Sequence, residues 1–181
     1  ITLLNSLDYE SQTSYNLTLT ASDGTNETTS EITFTVTDVE ELIDLNTTLA
    51  AGSFSEDIAT GTTIATATAV DPQGDVIIYS LSGTGSENFS ISSDGIVTLV
   101  SELDYETSSS YSITLTASDG TNSVETNLNI TVSNVNETLT LSSSLASDSF
   151  AENTASGTTI ATSTATDPEG ETITYSLSGT G

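Results

Sequence analysis

Carboxylates are the side chains of this sequence that are most able to do chemistry. The chain has 26 Asp and Glu residues and no Lys, Arg, His or Cys, which gives a formal net charge of −26 at pH 7. Without imidazole or thiolate groups there is no ligand set for zinc, no Ser-His-Asp or Cys-His relay, and no disulfide. Without basic side chains nothing neutralises the phosphates of nucleic acid or an anionic lipid surface, so both are excluded as partners.

The acidic residues recur at strand ends and turns with a spacing of 96 residues. The recurring positions are Asp8 and Glu10 with Asp104 and Glu106, Asp23 with Asp119, Asp38, Glu40 and Glu41 with Glu137, Glu56 with Glu152, and Asp71 and Asp75 with Asp167, Glu169 and Glu171. Charges that only solvate a surface need no such register. The pattern therefore favours carboxylates that act together.

These carboxylates need a cation from outside the chain, because the sequence contains no basic side chain. Clustered at partial burial they would repel one another by an energy on the order of several kcal/mol. A hard divalent cation removes this repulsion, and Ca²⁺ accepts about 6 to 8 oxygen ligands in irregular geometry whereas Mg²⁺ usually keeps several waters. The all-oxygen ligand set therefore predicts calcium.

The elements that position the carboxylates are predicted to be β-strands. Apolar and polar residues alternate with period two in residues 32–36, 111–117 and 128–132, and the polar partners are mostly Thr, which suits a pleated surface. Turn sequences such as DPQG, SDG and SDGTN separate the alternating runs. The strands predicted for one full repeat are 43–49 with Phe54, 62–69, 76–81, 89–91, 96–100, 111–117 and 124–132. Seven short strands of this kind predict an all-β chain with a β-sandwich of immunoglobulin-like size.

The sequence is an internal repeat with a period of 96 residues. The matching motifs are LDYE from Leu7 and Leu103, LTASDGTN from Leu19 and Leu115, GTTIAT from Gly61 and Gly157, and YSLSGTG from Tyr79 and Tyr175. The predicted organisation is the C-terminal half of a repeat in residues 1–41, a complete repeat in 42–137, and the N-terminal half of the next in 138–181. Neither half has enough strands to close a core alone, so we expect a longer tandem protein or completion by a neighbouring chain.

The order of motifs in the complete repeat resembles that of a cadherin domain, and specifically that of a bacterial cadherin-like repeat. The motifs are FSEDIATGTTIATATAVDPQGDVIIYSLSG from Phe54, then FSISSDGIVTL, LDYE, YSITLTASDG and ITVSNVNE. The resemblance extends over the whole chain, as one half repeat, one complete repeat and a second half repeat. It implies tandem seven-stranded Greek-key β-sandwiches.

Cadherins bind calcium between consecutive repeats, so the resemblance implies metal sites at two junctions. At the first junction the matching positions are Asp8, Glu10, Asp38, Glu40, Glu41, Asp71, Gln73, Asp75 and Asp119. At the second junction they are Glu56, Asp104, Glu106, Asn134, Asn136, Glu137, Asp167, Glu169 and Glu171.

Two departures from the family pattern bear on the number of ions. The linker motif ends in Leu42 and Thr138 where a final Asn is usual, and the second Asp of the D-x-D turn is Gln73 in one copy and Glu169 in the other. The number of ions per junction is therefore left at two or three.

We interpret the chain as a calcium-rigidified structural or adhesive repeat of a long extracellular filament or cell-surface adhesin of a prokaryote. Its expected partners are neighbouring repeats or subunits of the same protein, with cell-surface glycans as a further candidate. The alternative is a carbohydrate-binding cadherin-like module of a larger secreted protein. No apolar run approaches the ~20 residues that span a bilayer, so no membrane insertion is expected in this segment.

Enzymatic activity is not expected. Carboxylates and Tyr are the available acids and bases, so the credible chemistry is glycoside hydrolysis by a carboxylate pair. Such a pair needs an aromatic cleft, but the chain has no Trp, and its Tyr residues recur in register as core positions do.

Overall fold

The computed structural model describes residues 1–179, in which nearly all regular structure is β. The strands are β1 (Ser14–Ser22), β2 (Glu27–Thr35), β3 (Asp44–Leu49), β4 (Phe54–Ser55), β5 (Thr63–Val70), β6 (Ile78–Ser82), β7 (Phe89–Ile91), β8 (Ile96–Leu99), β9 (Ser110–Ser118), β10 (Ser123–Ser133), β11 (Thr140–Leu145) and β12 (Ala161–Thr166). A short 3₁₀ helix covers Ser86–Asn88. No helix in residues 1–179 is long and apolar enough to cross a membrane.

The middle of the chain folds into a sandwich of two four-stranded sheets. One sheet has the order β3-β5-β8-β7 and the other the order β4-β10-β9-β6. The first predicted strand divides into β3, which pairs antiparallel with β5, and β4, which pairs parallel with β10, so this edge segment changes sheets. The chain crosses between the sheets again after β4, β5, β6 and β8. The predicted all-β sandwich is confirmed.

Alternating side chains build the core between these sheets. Ile113 and Leu115 of β9 point inward and are fully buried, while their polar neighbours on the strand lie on the outer face. Ile64 of β5 and Val97 of β8 meet them from the opposite sheet and are also fully buried. Burial of each such side chain stabilises the fold by about 1.5 to 3 kcal/mol.

Each end of the chain forms one small β-sheet with no second sheet packed on it among the described residues, and its strands pair as the matching strands of the sandwich do. β1 pairs with β2, and β11 pairs with β12, each as a two-stranded antiparallel sheet. Leu17 and Leu19 of β1 are 39% and 49% exposed, although the matched residues one period later, Ile113 and Leu115, are fully buried. The end segments thus carry a core face that no second layer covers within the described residues. The three predicted segment boundaries stay a prediction.

Candidate metal centres

The first junction is the linker that joins β2 to β3, residues 36–43. Asn122 and Gln73, from two turns at one end of the sandwich, reach this linker with their side-chain amides. The Nδ2 of Asn122 donates to Oε1 of Glu40 at 3.1 Å and to the carbonyl oxygen of Glu41 at 3.2 Å. The Nε2 of Gln73 donates to the carbonyl oxygen of Val39 at 3.3 Å and to Oε2 of Glu41. The linker is therefore held directly against the sandwich.

Asp71 is placed at this junction by the turn that follows β5. Gly74 has φ of +80°, which allows the tight turn in which its N–H donates to the carbonyl of Asp71 at 3.1 Å. Asp71 is only 8% exposed, and its Oδ2 accepts from the N–H of Asp75 at 2.6 Å. Its other oxygen, Oδ1, is buried with no hydrogen-bond partner.

Asp119 is placed at the same junction by the turn between β9 and β10. Its Oδ1 accepts from the N–H groups of Thr121 and Asn122, both at 2.6 Å, in a turn that Gly120 permits with φ of +98°. Its Oδ2 is buried and has no partner. Both Asp residues therefore use one oxygen to fix a turn and keep the other free.

The first junction concentrates negative charge around Glu40. Loss of hydration beside the sandwich raises the pKa of Glu40, although the residue is exposed, and neighbouring carboxylates raise it further. These neighbours, in order of effect, are Asp119, Asp71, Asp75 and Asp38. The predicted ligands of the linker and of the two turns therefore share one electrostatic environment.

Asp8 and Glu10, which were also predicted for the first junction, lie outside this group of contacts. Both oxygens of Asp8 accept from Ser11, one from its N–H and one from its Oγ, each at 2.9 Å, and these bonds lower the pKa of Asp8. Glu10 is exposed. Within residues 1–179 no side-chain hydrogen bond connects either residue to the linker.

The second junction is centred on Glu56, which is only 5% exposed. Its Oε2 accepts from the N–H of Tyr105 at 2.5 Å, and its Oε1 accepts from the N–H of Val135 at 2.6 Å. Glu56 thereby ties the segment after β4 to the LDYE segment and to the linker that follows β10. Its carboxylate is held in place by the fold itself.

Glu56, Glu106 and Glu137 form the acidic group at this junction. Each offers one carboxylate oxygen, and these oxygens all lie within 4.8 Å of one another. Glu106 is exposed and Glu137 is half-buried. Three carboxylates so close together, with no basic side chain in the chain, form an arrangement that a divalent cation would neutralise.

Two residues of the following repeat extend this group. The N–H of Glu137 donates to Oε1 of Glu169. The pKa of Glu137 is raised to about 7, first by a hydrogen bond with the Glu169 carboxyl group and then by burial and the charges of Glu56 and Glu106. The pKa of Glu169 is lowered to about 2, first by a hydrogen bond from Asp167, whose own pKa is raised. These shifts show that the carboxyl groups of Glu137, Asp167 and Glu169 interact strongly with one another.

The other residues predicted for the second junction lie at its margin. Asp104 accepts from the N–H and Oγ1 of Thr107 at 2.7 and 2.8 Å, which lowers its pKa and gives it a turn-stabilising role. Asn134 is exposed directly after β10. Asn136 and Glu171 line a surface cavity beside Asp167.

Unpaired buried oxygens test whether the two junctions fit a cation. In the described part of the chain, the buried side-chain polar atoms without a hydrogen-bond partner are Asp71 Oδ1, Gln73 Oε1, Asp119 Oδ2, Glu137 Oε2 and Glu169 Oε2. All are oxygens, and all belong to residues predicted as ligands. An unsatisfied buried polar atom costs about 1 to 3 kcal/mol, so each of these atoms favours a ligand at that place. The residues present fit a hard, oxygen-binding cation.

Asn122 is a junction residue that the sequence interpretation missed. Its amide makes two of the hydrogen bonds that hold the first linker. The available signal was its place in the LTASDGTN motif, which recurs with Asn26 in the same position. The motif predicts a turn, and a turn motif alone assigns no functional role to its last residue.

Comparison with known families decides the type of domain. Residues 50–133 match the family model described as the cadherin domain. The chain contains a cadherin domain. Cadherin domains are extracellular or cell-surface adhesion modules, so the extracellular location expected from the sequence is confirmed.

Curated relatives support this assignment beyond the matched domain. The chain is 34% identical over 186 residues to the protocadherin-like wing polarity protein stan of Drosophila melanogaster, covering 93% of this chain and 5% of that protein. It is 31% identical over 194 residues to cadherin-17 of Rattus norvegicus, covering 95% of this chain and 24% of that protein. The chain thus spans only a small part of the length of these relatives.

Solved structures give the same result for the fold. The extracellular cadherin domains 3-6 of protocadherin gamma B2 match with a TM-score of 0.57 and 27% identity, covering 91% of this chain and 42% of that one. The EC3-6 cis-dimer structure of protocadherin gammaB7 matches with a TM-score of 0.57 and 26% identity, covering 91% and 41%. Both matches extend over more of the chain than the single domain at residues 50–133.

Proposed function

We propose that this chain is a calcium-rigidified segment of a long extracellular filament or cell-surface adhesin. The observation that carries the proposal is the position of the five unpaired buried oxygens, all of which lie at the two junctions between repeats. Cadherin domains generally bind Ca²⁺, which agrees with this placement. The proposed repeat boundaries remain residues 1–41, 42–137 and 138–181.

The residues that would hold calcium come from both sides of each junction. At the first junction they are the carboxylates and carboxamide of Asp38, Glu40, Glu41, Asp71, Gln73, Asp75 and Asp119. At the second they are Glu56, Glu106, Glu137, Asp167 and Glu169, with Asp104, Asn134, Asn136 and Glu171 at the margin. Asp8 and Glu10 retain the same predicted role at the first junction, although their contacts in this structure are local.

Calcium would act by replacing repulsion with attraction across each junction. In the metal-free protein the charges of neighbouring carboxylates help to raise the pKa of Glu40 at the first junction and of Glu137 at the second. A bound divalent cation supplies the charge that these groups lack, and it links residues of consecutive repeats through shared coordination. The free energy of binding then opposes both unfolding and bending at the junction.

The proposed role is mechanical and not catalytic. The partners are neighbouring repeats or subunits of the same protein, and the source is proposed to be a prokaryote. Glycan binding stays a prediction. Tyr175 is exposed, and its hydroxyl accepts from the N–H of Ala165 as the hydroxyl of Tyr79 does from Ala69.

Removal of calcium tests the proposed function. We expect EDTA to lower the melting temperature and to make the particle more flexible and shorter in its maximum dimension by small-angle scattering. Added Ca²⁺ should reverse both effects, whereas Mg²⁺ at the same concentration should reverse them only weakly. Unchanged melting and scattering in EDTA, together with no calcium uptake by calorimetry, would show that the assignment of calcium is wrong.

A further inference from the structure

The two junctions differ at one matched pair of positions. Residue 73 in the complete repeat and residue 169 in the next are related by the 96-residue period, as are linker residues 41 and 137. At the first junction Gln73 faces Glu41, and its Nε2 donates to the Glu41 carboxylate. At the second junction Glu169 faces Glu137, so a carboxylate stands opposite a carboxylate.

This difference changes what each junction needs in order to stay closed. An amide N–H that donates to a carboxylate pairs this donor with its acceptor without any ion. Two facing carboxylates are both acceptors when ionised, so they require a proton or a cation between them. Buried oxygens without a partner occur at both junctions, on Glu137 and Glu169 at the second and on Asp71, Gln73 and Asp119 at the first. What distinguishes the first junction is the side-chain amides that donate to its linker, because these bonds need no ion.

Further hydrogen bonds reinforce the first junction. The Nε2 of Gln73 also donates to the carbonyl oxygen of Val39 at 3.3 Å, which holds the linker backbone as well as a side chain. The Nδ2 of Asn122 adds bonds to Glu40 and to the carbonyl of Glu41. The amide groups of two sandwich residues thus bridge to three consecutive linker residues without an ion.

From these contacts we infer that the first junction stays coupled when calcium is removed, whereas the second becomes a flexible hinge. The residue at position 73 or 169 determines whether the junction needs calcium to stay rigid. With Gln the junction stays rigid without calcium, and with Glu it is rigid only when calcium is bound. Calcium concentration then controls bending at chosen junctions of the array and leaves the others stiff. This inference rests on the proposed function, because it assumes that calcium closes the second junction.

Distances across each junction in the whole 181-residue chain test the inference. The chain has no Cys, so cysteines introduced at exposed positions can carry spin labels without background. Thr20→Cys with Ser93→Cys spans the first junction, and Ser93→Cys with Ser144→Cys spans the second. In EDTA we expect the distance distribution to broaden at least roughly twofold across the second junction and to stay unchanged across the first.

Reciprocal substitutions provide the matched controls. Gln73→Glu should make the first junction broaden in EDTA, and Glu169→Gln should keep the second junction narrow in EDTA. Gln73→Ala, which removes the amide without adding charge, should also loosen the first junction in EDTA. Circular dichroism that matches the parent chain shows for each variant that the sandwich is folded.

The outcomes separate the inference from the proposed function. Equal broadening at both junctions in EDTA, or a Gln73→Glu variant that behaves like the parent, overturns the inference while calorimetry still shows calcium binding. Absence of calcium binding by calorimetry overturns the proposed function, and the inference with it. A narrow second junction in the Glu169→Gln variant in EDTA, with a broad one in the parent, supports the inference.

Discussion

Glu56 accepts a hydrogen bond through Oε2 from the backbone N–H of Tyr105 at 2.5 Å, across 49 positions of sequence. Its other oxygen accepts from the N–H of Val135 at 2.6 Å, and the side chain is 5% exposed. A buried carboxylate that accepts from two backbone N–H groups stabilises the fold, in addition to any role as a metal ligand. The residue therefore connects the stability of the sandwich to the geometry of the second junction.

Glu56→Ala should destabilise the sandwich even without calcium. The substitution leaves two backbone N–H groups without their acceptor, which costs about 2 to 4 kcal/mol. Thermal and urea unfolding in EDTA measure this loss. Glu152→Ala is the matched control, because Glu152 occupies the same repeat position but is exposed, and a change within about 0.5 kcal/mol is expected there. Equal losses in both variants would contradict the anchoring role.

Glu106→Gln should weaken calcium binding at the second junction and leave the first unchanged. Its carboxylate belongs to the acidic group with Glu56 and Glu137, and it is exposed, so the fold does not depend on it. Calcium titration by calorimetry should show loss of affinity for one class of site. Glu125→Gln removes the same charge from the outer face of β10 and should bind calcium as the parent does. A uniform loss at all sites would show that the residue assignment is wrong.

Asp104 and Glu106 belong to the same LDYE motif but have different roles: Asp104 stabilises a turn, and Glu106 is a candidate ligand. Because both of its oxygens accept from Thr107, Asp104→Ala should lower the melting temperature in EDTA by freeing these donors. The double variant Asp104→Ala with Glu106→Ala should abolish calcium binding at the second junction and retain it at the first. Calorimetry on the double variant checks this, and equal loss at both junctions would contradict the assignment.

The metal-free protein should become more stable as the pH falls from 8 to 5. The pKa of Glu137 is raised to about 7 in the folded chain from an ordinary value of 4.5. A raised folded-state pKa means that proton binding stabilises the folded form; this contribution is complete below pH 4.5 and is lost as the pH rises through 7. Melting temperatures in EDTA across this range measure the effect.

A matched variant isolates Glu137 from the general charge of the chain. Acidification also relieves repulsion among the other carboxylates, so the parent and Glu137→Gln must be compared at each pH. We expect a smaller dependence on pH in the variant between pH 5 and 8. In the parent, calcium affinity at the second junction should fall as the pH drops through 7, because protons compete for the same oxygens. Parallel pH profiles for both proteins would exclude this role of Glu137.

The strands were predictable from the sequence because the period-two alternation is strong and turn residues bound each run. The prediction missed the division of the first strand into β3 and β4, since the alternation of residues 43–49 does not reveal which sheet the following Phe54 joins. The candidate ligands were predictable as residue types. Their individual roles were not, because hydrogen bonds such as those from Asn122 to the linker join residues 81 and 82 positions apart.

The exposure of side chains at the two ends of the chain was the other feature that the local sequence pattern could not predict. Leu19 and Leu115 stand in the same LTASDGTN motif, but Leu19 is 49% exposed and Leu115 is fully buried. The motif determines the strand and the direction of the side chain. Burial requires the opposite sheet, which only the complete repeat provides within the described residues.

The uncovered face of β1 and β2 should close when the complementary strands are supplied. Residues 42–96 fused before residue 1 continue the 96-residue period without a gap, since residues 1–41 match 97–137. We expect amide hydrogen exchange in β1 and β2 to slow to the rate of β9 and β10, because the same strand pair then packs on the same opposite layer. Exchange measured by mass spectrometry in the parent and in the fusion checks this.

A fusion that carries Ile64→Asp in the added segment is the control, because Ile64 is fully buried in the sandwich and a charge there prevents closure. Exchange in β1 and β2 should stay fast in this control and become slow only in the intact fusion. If β1 and β2 already exchange as slowly as β9 and β10 in the parent chain, the end segment is covered without added strands, for example by a second copy of the chain. In that case the molecular mass in solution distinguishes a monomer from an oligomer of the parent chain. A monomer would contradict the need for a complementary layer, and a head-to-tail oligomer would show that successive copies supply this layer.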